Sequence, residues 1–387
     1  MTNLSGIIQQ GLQVRPGDRC VSWLPFYHDM GLVGFVLGPI ASQLSVDYLS
    51  TQDFAMRPRQ WLNVMTKNQG TISFSPSFGY ELCVRRLGED PNERYDLKSW
   101  RIAGVGAETI RADSLSRFAQ TLGSSGFNPE AFLACYGMAE CSLAISFAPL
   151  DKGLMVDRVD GERLSNSQQA IPLTPSLTHD NQPHCSKFVN CGAPLPGYEV
   201  QIRNRADQVL GERESGTIFV RGASIMSGYF NDPELTNEVL SPDGWLNTGD
   251  IGYWIKNSLV IIGRSKDMII INGRNIWPQD LEFLAEQQAE VRPGDASAFS
   301  VSGPDGDEMA IMVVQCRETD TKKREDLVTR LRSLVYKDLS IPCYIELIAP
   351  RTLPRTSSGK LSRSRAKAGF LDRVSLEEIA PLLSTIT

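Results

Sequence analysis

Apolar and polar residues between the N-terminus and Pro149 follow patterns that predict helices and strands in turn. Asn3–Leu12 has apolar residues at helical spacing, and Pro16–Asp18 leads from it into an apolar strand at Arg19–Leu24. Strands are then predicted at Thr71–Ser75, Trp100–Gly104 and Ala131–Tyr136, and helices at Phe78–Leu87 and Arg111–Leu122. This alternation is typical of an α/β layer built on a largely parallel sheet.

The pattern changes after Pro149. Residues 151–187 are rich in Ser, Gln, Asp, Pro and Thr and have no clear period, which predicts a long surface excursion rather than a separate domain. Residues 189–262 hold short β-type runs separated by Gly and Asp turns, which indicates a small, mostly antiparallel β subdomain. These runs are Glu199–Arg203, Gly216–Val220 and Leu259–Ile262.

A third pattern begins near Arg264 and predicts a small α+β domain with a basic tail. Its strands are expected at Met268–Asn272, Ala296–Val301, Ala310–Gln315 and Tyr344–Ile348, and its helices at Asp280–Gln288 and Lys322–Tyr336. The chain is therefore predicted to divide at 1–188, 189–265 and 266–387, with the polar excursion at about 151–187 inserted in the first part.

Composition and charge narrow the class of protein. The 387 residues are 41% apolar and 22% charged, as in an ordinary globular protein, and the net charge of −6 argues against a whole-protein nucleic-acid binder. The apolar runs are far shorter than the roughly 20 residues of a membrane span, and no signal peptide is visible. Eight scattered cysteines without CxxC pairs indicate reduced thiols. We therefore expect a cytoplasmic protein.

The segment Ala134–Glu140 places an aromatic ring, a glycine and a carboxylate at the end of a predicted strand. Tyr136 offers a flat face for a purine, and Gly137 allows a ligand to approach the backbone. Glu140 could hold Mg²⁺ beside phosphates. A plain strand-to-helix turn with a capping glutamate explains the same residues equally well.

Two further segments carry polar residues where a packed core does not require them. In Gly244–Gly252, Asp250 lies in a glycine-flanked loop where a carboxylate could accept both hydroxyls of a ribose, although by itself a β-turn is the simpler explanation. In Ile262–Ile276, the polar residues 264–267 separate two apolar strands, as expected of a hinge. Gly273 in that segment could let a long, thin substrate pass.

The last segment, Leu353–Arg363, carries Lys360 on a Ser/Gly-rich loop that could deliver a positive charge to a phosphate or carboxylate. A Walker A loop is excluded because the required first glycine is absent and Leu361 replaces the Ser/Thr. A solvated basic tail remains the alternative.

In this order and spacing the four segments resemble the signature series of the adenylate-forming superfamily, from Val21 to about Arg365. Further segments resemble its fatty acyl-AMP ligases, namely Ser22–Leu32, Ser75–Arg85, Val189–Gly197 and Asn272–Pro278. The resemblance implies a large α/β N-terminal domain, here partial, with a β-rich subdomain. It also implies a small, mobile α+β lid domain joined to the large domain by a hinge.

The resemblance also implies a reaction. ATP and Mg²⁺ would convert a fatty acid to acyl-AMP, and the acyl group would pass to the phosphopantetheine thiol of an acyl carrier protein or to coenzyme A. Lys360 and His28 would be catalytic, Glu140 would bind the metal, and Lys266 would be the hinge residue. The implied nucleotide-binding residues are Gly106, Ala107, Glu108, Tyr136, Gly137, Met138, Asp250 and Arg264.

Some of these residues have simpler explanations. His28 could be a hydrogen-bonded core histidine. The aromatic residues Phe74, Phe78 and Tyr80 are candidate walls of an apolar acyl pocket, but they could equally belong to the core. A zinc site at His179, His184 and Cys185 is disfavoured because no second cysteine lies nearby.

The sequence departs from the family pattern upstream of Asn3–Leu12, where the Ser/Thr/Gly-rich loop that wraps the ATP phosphates has no counterpart. We therefore expect a truncated chain that folds poorly alone, or that binds adenylate weakly without turning over ATP. Three functions stay open: an acyl-AMP ligase that serves a carrier protein, an acyl-CoA synthetase, and an inactive fragment that only binds nucleotide. The basic segment Arg351–Arg373 favours the first, through attraction to an acidic carrier protein.

Overall fold

The computed structural model describes residues 1–87, 94–173, 185–271, 273–303, 306–356 and 359–379. Within these residues the chain divides into two compact units. The first unit comprises Met1–Arg158 and Lys187–Ile262, and the second comprises Val159–Ser186 and Gly263–Thr387. This division does not test the domain boundaries expected from the sequence, which remain a prediction.

The strands of the described residues are numbered in chain order. They are β1 (Arg19–Ser22), β2 (Ser45–Tyr48), β3 (Ile72–Ser75), β4 (Ile102–Val105), β5 (Phe132–Gly137), β6 (Ala144–Phe147), β7 (Val156–Asp160), β8 (Cys185–Val189), β9 (Ala193–Pro194), β10 (Tyr198–Arg203), β11 (Gly216–Gly222), β12 (Leu246–Ile255), β13 (Ser258–Arg264), β14 (Ile269–Ile271), β15 (Arg274–Ile276), β16 (Ala296–Ser302), β17 (Glu308–Gln315) and β18 (Cys343–Ile348).

The α-helices are numbered in the same way. They are α1 (Thr2–Gly6), α2 (Asp29–Leu32), α3 (Gly38–Ser42), α4 (Thr51–Met56), α5 (Arg59–Asn68), α6 (Ser77–Arg86), α7 (Ala112–Leu122), α8 (Gly161–Ser167), α9 (Pro233–Val239), α10 (Pro278–Glu286), α11 (Thr321–Leu339) and α12 (Arg363–Leu371). Where the structure describes the chain, none of the helices is both long and apolar enough to cross a membrane.

A seven-stranded sheet forms the centre of the first unit where it is described, in the order β2-β1-β3-β4-β5-β6-β9. The strands from β2 to β5 pair in parallel, and β6 pairs antiparallel with both of its neighbours. All residues of β3 and β4 are buried, as expected for parallel strands covered on both faces. The α/β layer with a largely parallel sheet is thus confirmed.

Aromatic side chains fill the core beside this sheet. The Trp61 ring lies 5.0 Å from that of Trp100 and 5.2 Å from that of Tyr80, between ring centroids. Trp61 has no exposed surface, and its Nε1 donates a 2.9 Å hydrogen bond to Ser73 on β3. Burying the indole therefore leaves no donor unpaired, which would otherwise cost stability.

A four-stranded sheet in the order β10-β11-β12-β13 forms the β-rich part of the chain. The short β-type runs separated by Gly and Asp turns predict this part. The pairs β10–β11 and β11–β12 are antiparallel, with a register shift between Thr217 and Phe219. Ile202, Ile218 and Val220 are fully buried on this sheet. Their alternation with more exposed positions is the period of two expected of a sheet with one covered face.

The second unit is an α+β structure around the sheet β16-β17-β18, in which β16–β17 is antiparallel and β17–β18 is parallel. Helix α11 buries Leu327, Leu331 and Val335, spaced by four residues, against this sheet. The side chain of Asp320 caps its N-terminus by accepting a hydrogen bond from the amide of Lys323. Such a cap satisfies one of the amides that a helix start leaves unpaired.

Two segments differ from the expected pattern. The predicted helix Asn3–Leu12 is α1 followed by a π-helical turn at Ile7–Gly11. The polar segment 151–187, which shows no clear period, contains β7, α8 and β8, and β7 pairs with β8. Its elements are short and bury few residues, such as Leu164, so no long hydrophobic period marks them. Residues 174–184 of that segment lie outside the described residues.

Candidate active site

The side chains of Tyr136 on β5 and Asp250 on β12 meet inside the first unit. The Tyr136 hydroxyl donates a 2.7 Å hydrogen bond to Oδ2 of Asp250, and the two residues are 8% and 6% exposed. Burial, followed by the Asp250 charge, raises the pKa of Tyr136 well above its usual value. The phenol therefore stays protonated, and it acts as a permanent donor that orients the carboxylate.

The backbone on both sides of Asp250 is also held in place. Its amide donates to the Thr248 hydroxyl at 3.1 Å, and that hydroxyl donates to the Ile218 carbonyl at 2.8 Å. The backbone of Asp250 is thus held through β11, and its carboxylate is held from β5. The sequence indicated Tyr136 and Asp250 as separate binding residues, and the structure brings them together.

The β4 turn, residues 106–108, lies at the same edge of the sheet, because β4 and β5 are parallel neighbours. A side chain on Gly106 would approach the Cys135 carbonyl to 2.7 Å, so only glycine fits there. Ala107 has a φ of 67°, a left-handed conformation that is uncommon for a residue with a side chain. Glu108 accepts a 3.1 Å hydrogen bond from the Phe78 amide in the first turn of α6.

Gly137 and Glu140 follow directly after Tyr136. A side chain on Gly137 would overlap the Leu143 carbonyl, so packing alone already requires glycine at this position. Glu140 lies in a 3₁₀ turn, Ala139–Cys141, and Met138 precedes that turn. Tyr136, Gly137, Met138 and Glu140 therefore occupy one continuous segment, separate in sequence from the β4 turn.

A residue that the sequence did not indicate holds Glu140. The Tyr229 hydroxyl donates to Oε1 of Glu140 at 2.9 Å, and the Met226 amide donates to the Glu140 carbonyl at 2.7 Å. Tyr229 lies 89 positions away in the sequence, so no local pattern could have indicated the contact. An open depression of about 340 Å³ lies beside Glu140, lined in part by Ser142, Ser224 and Met226.

His28 caps the N-terminus of α2, and Asp29 lies beside its ring. Nδ1 of His28 is 2.6 Å from Oδ1 of Asp29, and the side chains are 23% and 18% exposed. The Met30 amide lies 2.7 Å from Oδ1 of Asp29 and 3.2 Å from Nδ1 of His28. The Met30 amide therefore donates to both side chains, which together hold the first turn of α2.

The three candidate residues of the acyl pocket have different surroundings. Tyr80 has no exposed surface and donates to the Gly104 carbonyl at 2.9 Å, which favours the core interpretation. Phe74 is 6% exposed, and Phe78 is partly buried with its ring 5.8 Å from that of Trp23. Their role as pocket walls remains a prediction.

The remaining predicted site residues belong to the second unit. Arg264 and Lys266 are exposed, and Lys266 lies in the 3₁₀ turn Ser265–Asp267. Lys360 closes a tight turn in which its amide donates to the Thr356 side chain and its carbonyl accepts from the Thr356 amide. Because Arg264 and Asp250 fall in different units, their shared role at a ribose stays a prediction.

The structure does not test the disfavoured zinc site, because His179 and His184 lie outside the described residues. Within the described ranges, no group of three or more His, Cys, Asp or Glu side chains could hold a metal ion.

Comparison with known proteins identifies the family. The family described as AMP-binding enzyme matches residues 1–230, which is more than half of the chain and includes both Tyr136 and Glu140. The chain belongs to this family. Asp250 and most of the second unit lie beyond the matched range of this AMP-binding enzyme.

Individual relatives point in the same direction. A Caulobacter vibrioides protein provisionally named as an acyl-CoA synthetase is 45% identical over 372 residues, covering 96% of this chain and 64% of its own length. The medium-chain-fatty-acid–[acyl-carrier-protein] ligase JamA of Moorena producens is 32% identical over 91% of this chain and 60% of its own length. The AMP-binding chain thus spans less than two thirds of the curated relatives it matches.

Solved structures agree with this assignment. A structure from work on the fatty acyl-adenylate ligases of E. coli and L. pneumophila is 46% identical, with a TM-score of 0.88 over 96% of this chain and 65% of its own. A fatty acid AMP ligase from Legionella pneumophila is 31% identical, with a TM-score of 0.66 over 96% of this chain and 65% of its own.

Proposed function

We propose that this AMP-binding enzyme uses ATP to activate a fatty acid as acyl-AMP and then transfers the acyl group to the phosphopantetheine thiol of an acyl carrier protein. The observation that supports this best is the buried Tyr136–Asp250 pair beside the β4 turn and Glu140. In this pair the Tyr136 ring would stack on adenine, and the Asp250 carboxylate would accept hydrogen bonds from the ribose hydroxyls. An ionised carboxylate has about four lone-pair sites, so Asp250 can accept from both Tyr136 and a ribose.

The first half-reaction would proceed as follows. A carboxylate oxygen of the fatty acid attacks the α-phosphorus of ATP, the bond from phosphorus to the bridging oxygen of pyrophosphate breaks, and acyl-AMP and pyrophosphate result. The main barrier is repulsion between two anions, which a correctly placed cation reduces. Lys360, at the end of its tight turn, would supply that cation between the acyl carboxylate and the phosphate.

His28 would lie near the junction of the acyl chain and the α-phosphate. Oδ1 of Asp29 lies 2.6 Å from its Nδ1 and would help to hold the ring in that place. The β4 turn would border adenine along its edge, with Gly137 and Met138 beside it. Arg264 would contribute to ribose binding, and Lys266 would act as the hinge residue of a mobile lid at 266–387.

Glu140 fits a Mg²⁺ ion that is bound mainly through substrate phosphates. Mg²⁺ in such sites takes only one or two carboxylates from the protein, so a single glutamate suffices. The Tyr229 hydroxyl fixes one of its carboxylate oxygens, and the adjoining depression of about 340 Å³ is open to solvent. When bound, the ion would neutralise phosphate charge.

The molecule that accepts the acyl group distinguishes an acyl-carrier-protein ligase from an acyl-CoA synthetase. The relative JamA is named as an acyl-carrier-protein ligase, and the segment Arg351–Arg373 of this chain has seven Lys or Arg residues and one acidic residue, which suits an acidic carrier protein. The Caulobacter relative is named as an acyl-CoA synthetase, which favours coenzyme A as the alternative acceptor.

Two assays on the 387-residue chain test the proposal. The first is fatty-acid-dependent exchange of pyrophosphate into ATP, which requires formation of acyl-AMP. The second compares thioester formation with holo-acyl carrier protein and with coenzyme A. Thioester on the carrier protein only supports the proposal, and thioester on coenzyme A supports a synthetase. Binding of an acyl-adenylate analogue without any exchange would indicate a chain that only binds nucleotide.

A further inference from the structure

The guanidinium of Arg363, the first residue of α12, is shared between two carboxylates that come from separate parts of the second unit. Its Nε and Nη2 donate to Glu282 at 2.9 and 2.7 Å, and its Nη1 donates to Oδ2 of Asp267 at 3.3 Å. Glu282 lies on α10, and Asp267 ends the 3₁₀ turn that carries Lys266. One side chain therefore connects three segments.

The contact to Glu282 is anchored in the core. Glu282 has no exposed surface, and its Oε1 also accepts a 3.1 Å hydrogen bond from the Ala298 amide on β16. Desolvation alone would lower the pKa of Arg363, but Glu282 and Asp267 outweigh it and raise that pKa. A bidentate pair with a buried carboxylate fixes the plane of the guanidinium, so the position of its third nitrogen is determined as well.

The contact to Asp267 is of a different kind. The side chains of Arg363 and Asp267 are 25% and 26% exposed, so this contact does not protect a buried charge from solvent. It holds the turn Ser265–Asp267 against the start of α12. A role in core stability therefore explains the Glu282 contact but does not require the Asp267 contact.

Lys360 lies three residues before Arg363 in the sequence. The amide of Ser362 donates to the Pro354 carbonyl at 3.0 Å, and the Lys360 carbonyl accepts from the Thr356 amide at 2.8 Å. These bonds tie the residues between Lys360 and α12 to Pro354 and Thr356. Arg363 thus links the turn that carries Lys266 to the turn that carries Lys360.

We propose that Arg363 is a positioning residue that keeps the Lys266 turn and the Lys360 turn in a fixed arrangement within the second unit. The proposal rests on the proposed function for the roles of the two lysines. Arg363 itself would touch no substrate. Its effect on the reaction would come from the placement of Lys360, which must be accurate to a fraction of an ångström to stabilise charge at a phosphate.

Two variants separate positioning from stability. Asp267→Asn removes the negative charge from the partly exposed contact and leaves the buried pair with Glu282 intact. Arg363→Lys keeps the charge but loses the fork that reaches both carboxylates. The matched control is Arg373→Lys, because Arg373 makes a similar bidentate pair with Glu346 in the same unit, at 3.1 and 2.8 Å, but does not contact Asp267.

Hydrogen exchange followed by mass spectrometry tests the positioning directly. In Asp267→Asn we expect amide exchange to rise roughly two- to five-fold in peptides that cover 265–268 and 359–363, with the rest of the unit unchanged. Arg363→Lys should do the same or more, and Arg373→Lys should leave both peptides unchanged. Unchanged exchange in both peptides of Asp267→Asn, or an equal rise throughout the unit, would overturn the proposal.

A kinetic measurement then links the arrangement to the reaction. In Asp267→Asn we expect a roughly three- to ten-fold lower kcat for acyl-AMP formation, because Lys360 would be placed less accurately. An unchanged kcat with faster exchange would overturn the link to catalysis. If the unaltered chain forms no acyl-AMP, the proposed function fails, while the exchange data still decide whether Arg363 positions the two turns.

Discussion

The Tyr136 hydroxyl and the Asp250 carboxylate form a 2.7 Å hydrogen bond across 114 positions of sequence. A second pair in the same unit has the same geometry, since the Tyr253 hydroxyl donates to Asp157 at 2.7 Å. Both tyrosines are buried, and in both a neighbouring carboxylate adds to the effect of burial and raises the pKa of the phenol. Only the first pair lies among the residues proposed to bind nucleotide, which makes the second a natural control.

Tyr136→Phe should weaken binding of an acyl-adenylate analogue by roughly ten-fold, because Asp250 loses the donor that orients it. The same change should lower the free energy of unfolding by about 2 kcal/mol, the usual worth of a hydrogen bond to a charged group. Calorimetric titration and urea unfolding measure the two effects.

Tyr253→Phe should cost similar stability and leave the affinity for the analogue unchanged. Equal losses of affinity in the two variants would mean that Tyr136 acts only through the stability of the fold.

The Glu140 carboxylate is expected to set the Mg²⁺ requirement. Glu140→Gln should raise the Mg²⁺ concentration for half-maximal pyrophosphate exchange by about ten-fold or more, because the amide is a poor ligand for a hard cation. Tyr229→Phe should raise it by between about two- and ten-fold, since it removes the 2.9 Å bond that orients the carboxylate. Magnesium titrations of the exchange rate provide the measurement.

The control is Glu199→Gln, which alters an exposed glutamate paired with Arg221 on the same unit. Its Mg²⁺ dependence should match that of the unaltered chain. A normal Mg²⁺ dependence in Glu140→Gln would remove Glu140 from the metal site.

The positive charge of Lys360 should matter for the reaction and not for nucleotide binding. Lys360→Ala is expected to slow acyl-AMP formation by roughly 10² to 10³-fold, the usual cost of losing one charge-stabilising group, with little change in the affinity for AMP. Lys367→Ala, in the same basic segment, should leave the rate nearly unchanged. A weaker affinity for AMP in proportion to the lost rate would show that Lys360 only binds the nucleotide.

Much of the fold followed from the sequence because its signals are local. The strands β3, β4 and β5 are apolar runs next to turn residues, and α11 shows an apolar period with a capping Asp320. The segment around α8 was missed because a helix of seven residues buries little and leaves no period to detect.

The candidate site could be predicted in its residues but not in its contacts. Tyr136 and Asp250 each lie in a recognisable segment, whereas the bond between them depends on how β5 and β12 fold together. Tyr229 carries no local signal, since its partner Glu140 is distant in sequence. Arg363 lies three residues after Lys360 in the basic segment. No feature of the sequence indicated that it would pair with Glu282, which has no exposed surface.

Asp280, in the first turn of α10, should make the stability of the chain depend on pH. Desolvation, with the charge of Glu282 as a second cause, raises the pKa of its carboxyl from 3.8 to about 7. Between these two values the folded chain keeps a proton that the unfolded chain has lost. Stability contributed by this group is therefore full below about pH 4 and is lost as the pH rises toward 7.

Asp280→Asn removes this effect, because an amide does not ionise. We expect the variant to exceed the unaltered chain in free energy of unfolding by about 2 to 4 kcal/mol at pH 8, and the difference to disappear near pH 4. Urea unfolding at a series of pH values, with Asp338→Asn as the control, measures the difference. A gain that stays constant from pH 4 to 8 would mean that the substitution acts through packing or hydrogen bonding, and that the Asp280 carboxyl does not titrate in this window.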